Sequence, residues 1–214
     1  MDTCIIFCAA GFDALVAPIP DNALTIAADG GLAHTQTLGL SPDVILGDFD
    51  SLGYVPADSR VFPVEKDDTD AMLAVRLGLE RGCDAFLLYG AMDGPRLDHT
   101  VANFQTLAYL AEHGARGWLI GKDYIATVAS RETLSFDDTC TGIVSCFCLG
   151  ADITDLTLTG LHYPLEHGTL TAAFPLGVSN HFTGEAARIT VGDGLLLVLW
   201  DRCNGLCRRS FFEV

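Results

Sequence analysis

Val44-Ile45-Leu46-Gly47-Asp48-Phe49-Asp50-Ser51 runs from apolar β-formers straight into two carboxylates. Such a run reads as a buried strand that stops where charge begins. In open α/β sheets ligands bind in the crevice beyond the carboxyl ends of the strands, so acids placed there are candidates for a metal and phosphate site. An extended segment points residues i and i+2 the same way, which directs Asp48 and Asp50 at one cation. Asp is equally at home in a solvated turn, so the pattern carries weight only if it recurs.

It recurs along the first half of the chain. Leu24-Thr25-Ile26-Ala27-Ala28 leads into Asp29-Gly30-Gly31, and Val61-Phe62-Pro63-Val64 into Glu65-Lys66-Asp67-Asp68-Thr69-Asp70. Ala85-Phe86-Leu87-Leu88-Tyr89 leads into Gly90-Ala91-Met92-Asp93-Gly94-Pro95-Arg96-Leu97-Asp98-His99. Helical patterns follow three of these clusters, and Gly39, Gly82 and Gly114 stand where C-terminal caps belong. Met72, Val75 and Leu79 are spaced for one helical face, and Val101, Phe104, Ala108 and Ala111 for another. Strand, acidic loop and helix alternate as in a mostly parallel sheet covered by helices, with the acidic clusters along one edge.

After about Ser130 the helical periodicities stop. Strand signals take over at Ile143 to Leu149, Leu156 to Thr159, Leu170 to Phe174, Ala187 to Val191 and Leu195 to Trp200, separated by turn glycines such as Gly160, Gly168 and Gly177. The fold class expected is therefore α/β: an N-terminal, mostly parallel, Rossmann-like α/β sandwich over residues 1–130, followed by a small all-β sandwich over residues 131–214.

Composition narrows the partners. With 214 residues, 50% of them hydrophobic, the chain has ample material for a core, and disorder is not expected. A net charge of −16 excludes general affinity for nucleic acid or an anionic membrane surface. ATP remains accessible to such a chain if a divalent cation and a few bases bridge the repulsion. The start Met1-Asp2-Thr3-Cys4 has no basic n-region, and no apolar stretch reaches membrane-spanning length, so a cytoplasmic location is expected. The eight cysteines are then expected to be reduced. Cys203 and Cys207 have metal-ligand spacing, but no second Cys or His pair accompanies them in the tail.

The ordered motifs resemble the thiamine pyrophosphokinase family over nearly the whole chain. They are Ala28-Asp29-Gly30-Gly31 with His34, Pro42-Asp43 through Ser51, Lys66-Asp67-Asp68-Thr69-Asp70, and Tyr89-Gly90-Ala91 through Arg96-Leu97-Asp98-His99. Gly160-Leu161-His162-Tyr163-Pro164-Leu165 and Gly177-Val178-Ser179-Asn180 complete the series. The resemblance implies transfer of the pyrophosphoryl group of ATP to the hydroxyethyl group of thiamine, giving thiamine diphosphate and AMP. It also implies a homodimer whose β-sandwich helps to build the thiamine pocket, and it places Ser179 and Asn180 against the aminopyrimidine.

Elementary chemistry assigns roles to the same residues. Transfer of this kind depends on positioning and on neutralising phosphate charge, so carboxylates for Mg²⁺ and cations for phosphate are the expected parts. Asp48, Asp50 and Asp70 are assigned to the metal, and Asp70 also suits the first turn of a helix capped by Thr69 or Asp68. Arg96 and Lys66 are candidates for phosphate, while Asp98 is expected to orient the attacking hydroxyl; an Arg96 ion pair with Asp98 or Asp93 is the alternative. Asp29, Gly30 and Gly31 open a helix after a strand, where backbone N–H groups meet phosphate, or where a tight turn needs positive φ. A related pterin pyrophosphokinase, an aspartyl phosphohydrolase and a non-catalytic thiamine sensor are the competing readings.

Overall fold

A computed structural model describes residues 2–49, 54–61 and 67–211. The chain divides into two compact units, Met1–Lys122 and Asp123–Val214. The division falls earlier than the boundary expected near residue 130, because the segment Tyr124–Ala129 pairs with Leu196–Asp201 in the second unit.

In the N-terminal unit the elements are β1 (Thr3–Phe7), β2 (Leu24–Ala28), α1 (Leu32–Thr37), β3 (Val44–Gly47), β4 (Arg60–Val61), α2 (Asp70–Glu80), β5 (Ala85–Tyr89), α3 (Leu97–Glu112) and β6 (Arg116–Ile120). The strands are ordered β6-β5-β1-β2-β3-β4, and every neighbouring pair is parallel. Strand order therefore reverses between β1 and β5, and the loops that leave those two strands frame the crevice where such sheets take ligands. The central strands are apolar on both faces, as helix-covered parallel strands must be: Ile5, Ile6, Phe7, Phe86 and Leu88 are essentially inaccessible.

Gly39, Gly82 and Gly114 do end the helical segments, with φ of 67°, 83° and 70°. The buried helix faces differ from those expected. In α2 the deepest stripe is Ala71, Ala74, Val75 and Gly78. A Cβ at Gly78 would lie 2.5 Å from Cε1 of Phe86 and 3.0 Å from Sγ of Cys4, so the small stripe lets α2 approach the sheet closely. In α3 the buried face is Asn103, Thr106, Leu107 and Leu110, whereas Val101 is 52% exposed. Polar residues share the buried stripe because their bonds are met internally: Asn103 Nδ2 donates to Ala91 O at 2.7 Å and Thr106 Oγ1 to Ala102 O at 3.1 Å.

The C-terminal unit comprises β7 (Tyr124–Ala129), β8 (Glu132–Phe136), β9 (Ile143–Leu149), β10 (Ile153–Thr159), β11 (Leu165–Leu170), β12 (Asn180–His181), β13 (Ala187–Val191), β14 (Leu195–Asp201) and β15 (Arg208–Phe211). Antiparallel pairing joins β12-β9-β14-β7 in one layer and β11-β10-β13-β8-β15 in another. The strand expected over Leu170–Phe174 lies instead at Leu165–Leu170. Trp200 is 1% exposed, meets Phe136 of the other layer edge-on at 5.3 Å, and donates through Nε1 to Gly205 O at 2.9 Å. It is a core residue between layers and offers no platform to a ligand.

One ion pair is locked inside this unit. Arg209 on β15 and Glu132 on β8 have side chains 2% and 1% exposed. Arg209 donates to both Glu132 oxygens at 2.9 and 2.5 Å, to Thr127 Oγ1 at 2.7 Å and to Val128 O at 2.8 Å. Truncating one partner strands a buried charge, so Arg209→Met is expected to cost about 3–5 kcal/mol. Glu132→Leu added to it should restore part of that loss; urea denaturation measures both, and an Arg209→Met midpoint equal to wild type would refute the account.

Candidate active site

Each acidic side chain at the carboxyl edge of the sheet is placed by a local feature of the chain. Asp29 follows β2 directly and holds φ at 48°, opening a short 3-10 turn over Asp29–Gly31. Gly31 has an ordinary φ of −59°, so its lack of a side chain is explained by packing: a Cβ there would collide with the carbonyl oxygen of Phe7. Asp48 follows β3, where a Cβ at Gly47 would lie 3.0 Å from Cα of Asp29; the glycine lets the two strand ends come together. Asp70 starts α2, and its N-cap is Thr69, whose hydroxyl accepts from Met72 N at 3.2 Å. Asp68 is occupied elsewhere, in an ion pair with Arg76 at 2.8 Å.

Ligand oxygens of Asp29, Asp48 and Asp70 all lie within 4.8 Å of one another, and all three residues are half-buried. Among the described residues this is the only group of three or more acidic, His or Cys side chains gathered closely enough to share a metal, and Cys203 and Cys207 belong to none. The set differs from the one expected from sequence. Asp29, read there as a phosphate-side residue, joins Asp48 and Asp70. Phe49 turns into the left-handed region with φ 59° and is buried, so the extended geometry invoked to align Asp48 with Asp50 is interrupted at Phe49. Asp50 and Lys66 lie outside the described residues. Asp43, of the same motif, accepts from Thr25 N at 2.8 Å and Thr25 Oγ1 at 2.7 Å at the starts of β2 and β3. Those bonds hold its carboxyl below the usual carboxylate range.

A cleft of about 410 Å³ adjoins the triad. Its walls come from the loops after β1 (Cys8, Ala9, Ala10), after β2 (Ala28, Asp29) and after β5 (Gly90, Ala91, Gly94, Pro95), from the start of α2 (Thr69, Asp70, Ala71), and from α3 with its cap. Arg96, His99, Thr100 and Asn103 form a row along α3 facing this space. His34 braces the opposite wall, its Nε2 2.9 Å from Ala10 O and its ring against Phe12. The Cys8 thiol is pushed up to about 12 by burial and by the charge of Asp70, which keeps it a neutral wall group.

Arg96 reaches Asp98 through Nε at 3.2 Å and Nη2 at 2.5 Å, and both side chains are about two-thirds exposed. The hydrogen bond from Arg96 holds the Asp98 carboxyl below its ordinary value. A carboxylate so stabilised is a weak base. Sequence reading missed Asn103, whose only signal was a polar residue within an otherwise apolar helix.

In the C-terminal unit Ser179 is exposed with φ 61°, and its N–H donates to Ser145 Oγ at 3.0 Å. Asn180 is 6% exposed. Its Nδ2 donates to Tyr163 O at 2.8 Å and its Oδ1 accepts from Tyr163 N and His181 N at 2.9 Å, so these bonds tie the 160–164 segment to β12. Of the two residues that the resemblance places against the aminopyrimidine, Asn180 is thus buried and bonded within the unit, and Ser179 is exposed.

Three clustered carboxylates beside an arginine-lined cleft, at the strand-order reversal of a parallel sheet, define an α/β domain suited to holding phosphate through a cation. The comparisons with known proteins are more specific. The profile described as thiamin pyrophosphokinase, catalytic domain, matches residues 18–119, and that described as thiamin pyrophosphokinase, vitamin B1 binding domain, matches residues 131–196. A curated thiamine pyrophosphokinase of Bacillus subtilis (strain 168) is 29% identical over 189 residues, covering 84% of this chain and 87% of its own. The crystal structure of thiamine pyrophosphokinase from Bacillus subtilis superposes with a TM-score of 0.77 at 27% identity, over 93% of this chain and 98% of that one. Thiamin pyrophosphokinase from Geobacillus thermodenitrificans gives a TM-score of 0.73 at 25% identity, over 93% and 96% of the two chains. The chain belongs to the thiamin pyrophosphokinase family.

The triad makes a separable prediction. At 4.8 Å and an effective dielectric near 20, two carboxylates repel by about 3 kcal/mol before solvent screening. Asp29→Asn, Asp48→Asn and Asp70→Asn should each remove most turnover, on the order of a hundredfold or more as for other groups that stabilise transferring phosphate. The metal-free melting temperature should stay level or rise. A variant that unfolds at ordinary temperature would reassign that residue to structure.

Proposed function

We infer that this chain carries out the reaction of its family, transfer of the pyrophosphoryl group of ATP to the hydroxyl of thiamine with release of AMP. The observation that carries the reading is the match of both units to the two domains of one family, the first of them bearing the acidic triad beside the cleft. That paired match favours this activity over the pterin pyrophosphokinase, phosphohydrolase and sensor readings. The strand order around β1 and β5 also supports reading the N-terminal unit as Rossmann-like.

The donor set fits a hard divalent cation: three carboxylates from separate strand and helix ends, leaving further positions for phosphate oxygens. Asp29, Asp48 and Asp70 are the proposed ligands of Mg²⁺, with Asp50 as a neighbour. Bound Mg²⁺ supplies neutralisation of phosphate charge. Arg96, and Lys66 from the sequence motif, take phosphate oxygens, and the N–H groups of Gly30 and Gly31 are the backbone contacts proposed beside them. Asp98 orients the thiamine hydroxyl. The hydroxyl oxygen bonds to the β-phosphorus while the bond from that phosphorus to the α,β-bridging oxygen breaks; AMP leaves with the electron pair and the hydroxyl proton passes to solvent.

The β-sandwich is proposed to bind thiamine through Ser179 and to complete the site in a homodimer. An exposed apolar group around Ser179 supports this: Tyr163 and Leu176 are 61% exposed, Phe174 64% and Val178 43%. Among the described residues no helix is long and apolar enough to cross a membrane. The acidic charge keeps nucleic acid off the list of partners, and a cytoplasmic location remains part of the proposal.

Two measurements check the reading. Incubation with ATP, Mg²⁺ and thiamine should yield AMP and thiamine diphosphate in equal amounts; ADP with thiamine monophosphate would reject pyrophosphoryl transfer, and phosphate release without thiamine would indicate a hydrolase. Leu176→Asp should convert a dimer to monomer in sedimentation and lower activity with it. A wild type that sediments as a fully active monomer would end the composite-site proposal.

A further inference from the structure

The loop between β5 and α3 is fastened in its first half and lines the cleft with its second. Gly90 N donates to Ile120 O at 3.1 Å, and Gly90 O accepts from Ala10 N at 3.0 Å. Ala91 O accepts from Asn103 Nδ2 at 2.7 Å. Asp93, with φ 63°, accepts through Oδ2 from Lys122 N at 2.8 Å. Gly121 leaves the space for that carboxylate, since a Cβ there would collide with it. Gly94, Pro95 and Arg96 follow immediately and face the cleft. Arg96 is also the N-cap of α3, and Asn103, seven positions on, returns to the same side of the helix two turns later.

These ties have different reach. The bonds at Gly90 are backbone to backbone and form whatever the side chains. Those from Asn103 and Asp93 depend on two side chains that the transfer chemistry itself does not require. Asn103 is 7% exposed, so its amide sits where an unmade bond is costly and where its geometry is fixed by packing. It fastens the loop to α3, while Asp93 fastens it to Lys122, the second residue after β6. Between them they fix the direction from which the chain enters α3, and thereby the placement of the guanidinium at its cap.

We propose that Asn103 and Asp93 are positioning residues for Arg96, acting through the Ala91 carbonyl and the Lys122 amide to hold the guanidinium toward the phosphates of a nucleotide in the cleft. The proposal deepens the functional reading and rests on its assignment of Arg96 to phosphate. Neither side chain need touch the nucleotide. Their contribution is the ordering of the loop before binding, which a free loop would have to supply at the moment of binding.

A double-mutant cycle on nucleotide affinity tests this without turnover. MgATP dissociation constants are measured by titration calorimetry, in the absence of thiamine, for wild type, Asn103→Leu, Asp93→Ala, Asp93→Asn, Arg96→Ala and the Arg96→Ala combinations. Asn103→Leu and Asp93→Ala should each weaken MgATP about tenfold. Asp93→Asn, which keeps an acceptor for the Lys122 amide, should stay within about twofold of wild type, and adding either loop variant to Arg96→Ala should cause no further loss. Wild-type affinity in both single variants, or losses that multiply with that of Arg96→Ala, would overturn the proposal. Asp93 is exposed, so its pair of variants decides the matter if Asn103→Leu fails to fold. A wild type that binds MgATP but forms no thiamine diphosphate would sink the assigned reaction, while the cycle would still decide the positioning role.

Discussion

Like charge held at close range is the constraint on which the N-terminal unit depends. Carboxylates of Asp29, Asp48 and Asp70 lie within 4.8 Å of one another, and nothing about three like charges favours that arrangement in itself. Their convergence is imposed by backbone held elsewhere: by the parallel register of β2 with β3, by the missing side chain at Gly47, and by Thr69 fixing the start of α2. The stability that offsets the repulsion comes from apolar strands lying a few residues back. Phe7, Phe86 and Leu88 are fully buried, and α2 sits close to them through its alanine and glycine stripe. Packing that looks remote from the triad is thus what makes the approach of three like charges tolerable.

The same constraint reconciles an acidic chain with a polyanionic substrate. A net charge of −16 repels ATP at long range, and the triad adds to that repulsion locally. The proposed cation, shared between carboxylates and phosphates, would reverse the sign together with bases such as Arg96. A metal dependence, as proposed for the triad, would therefore follow from the whole charge distribution as well as from the reaction. Salt should matter less to such an exchange than to a basic nucleotide site, because the decisive charges are half-buried and close together.

Much of this was legible in the chain, and the failures have physical causes. Apolar runs ending in acids located β2, β3 and β5, since burial on both faces leaves a pattern that needs no partner to interpret, whereas β1 and β6, which no acidic cluster follows, were not read, and most of the run expected over Val61–Val64 lies outside the described residues. Helix faces were harder. In α3 the stripe Val101, Phe104, Ala108 and Ala111 is the more hydrophobic by inspection, yet the buried stripe contains Asn103 and Thr106, whose polar atoms are satisfied within the fold. Asp29 was read for phosphate because a glycine pair follows it; its approach to Asp48 depends on strand adjacency, which periodicity does not encode. The segment Tyr124–Ala129 was assigned to the wrong unit because a strand's partner, here Leu196–Asp201, can lie far along the chain. The Arg209–Glu132 pair left no sequence signal at all, since two charges so far apart read as two surface residues.

Two arginine–carboxylate pairs in this molecule show how burial converts one interaction into different functions. Arg209 and Glu132 are sealed from water and saturated with further bonds to Thr127 and Val128, so neither can leave without abandoning an unpaired charge in the interior. That pair fixes β15 to β8 permanently. Arg96 and Asp98 make a comparable two-point contact, but in the open, where water competes for each group and exchange of one partner for another is inexpensive. A phosphate offers Arg96 a comparable pair of oxygens for a two-point contact, with more charge. Asp98 therefore holds the guanidinium without trapping it, because both side chains are about two-thirds exposed and their contact can be exchanged.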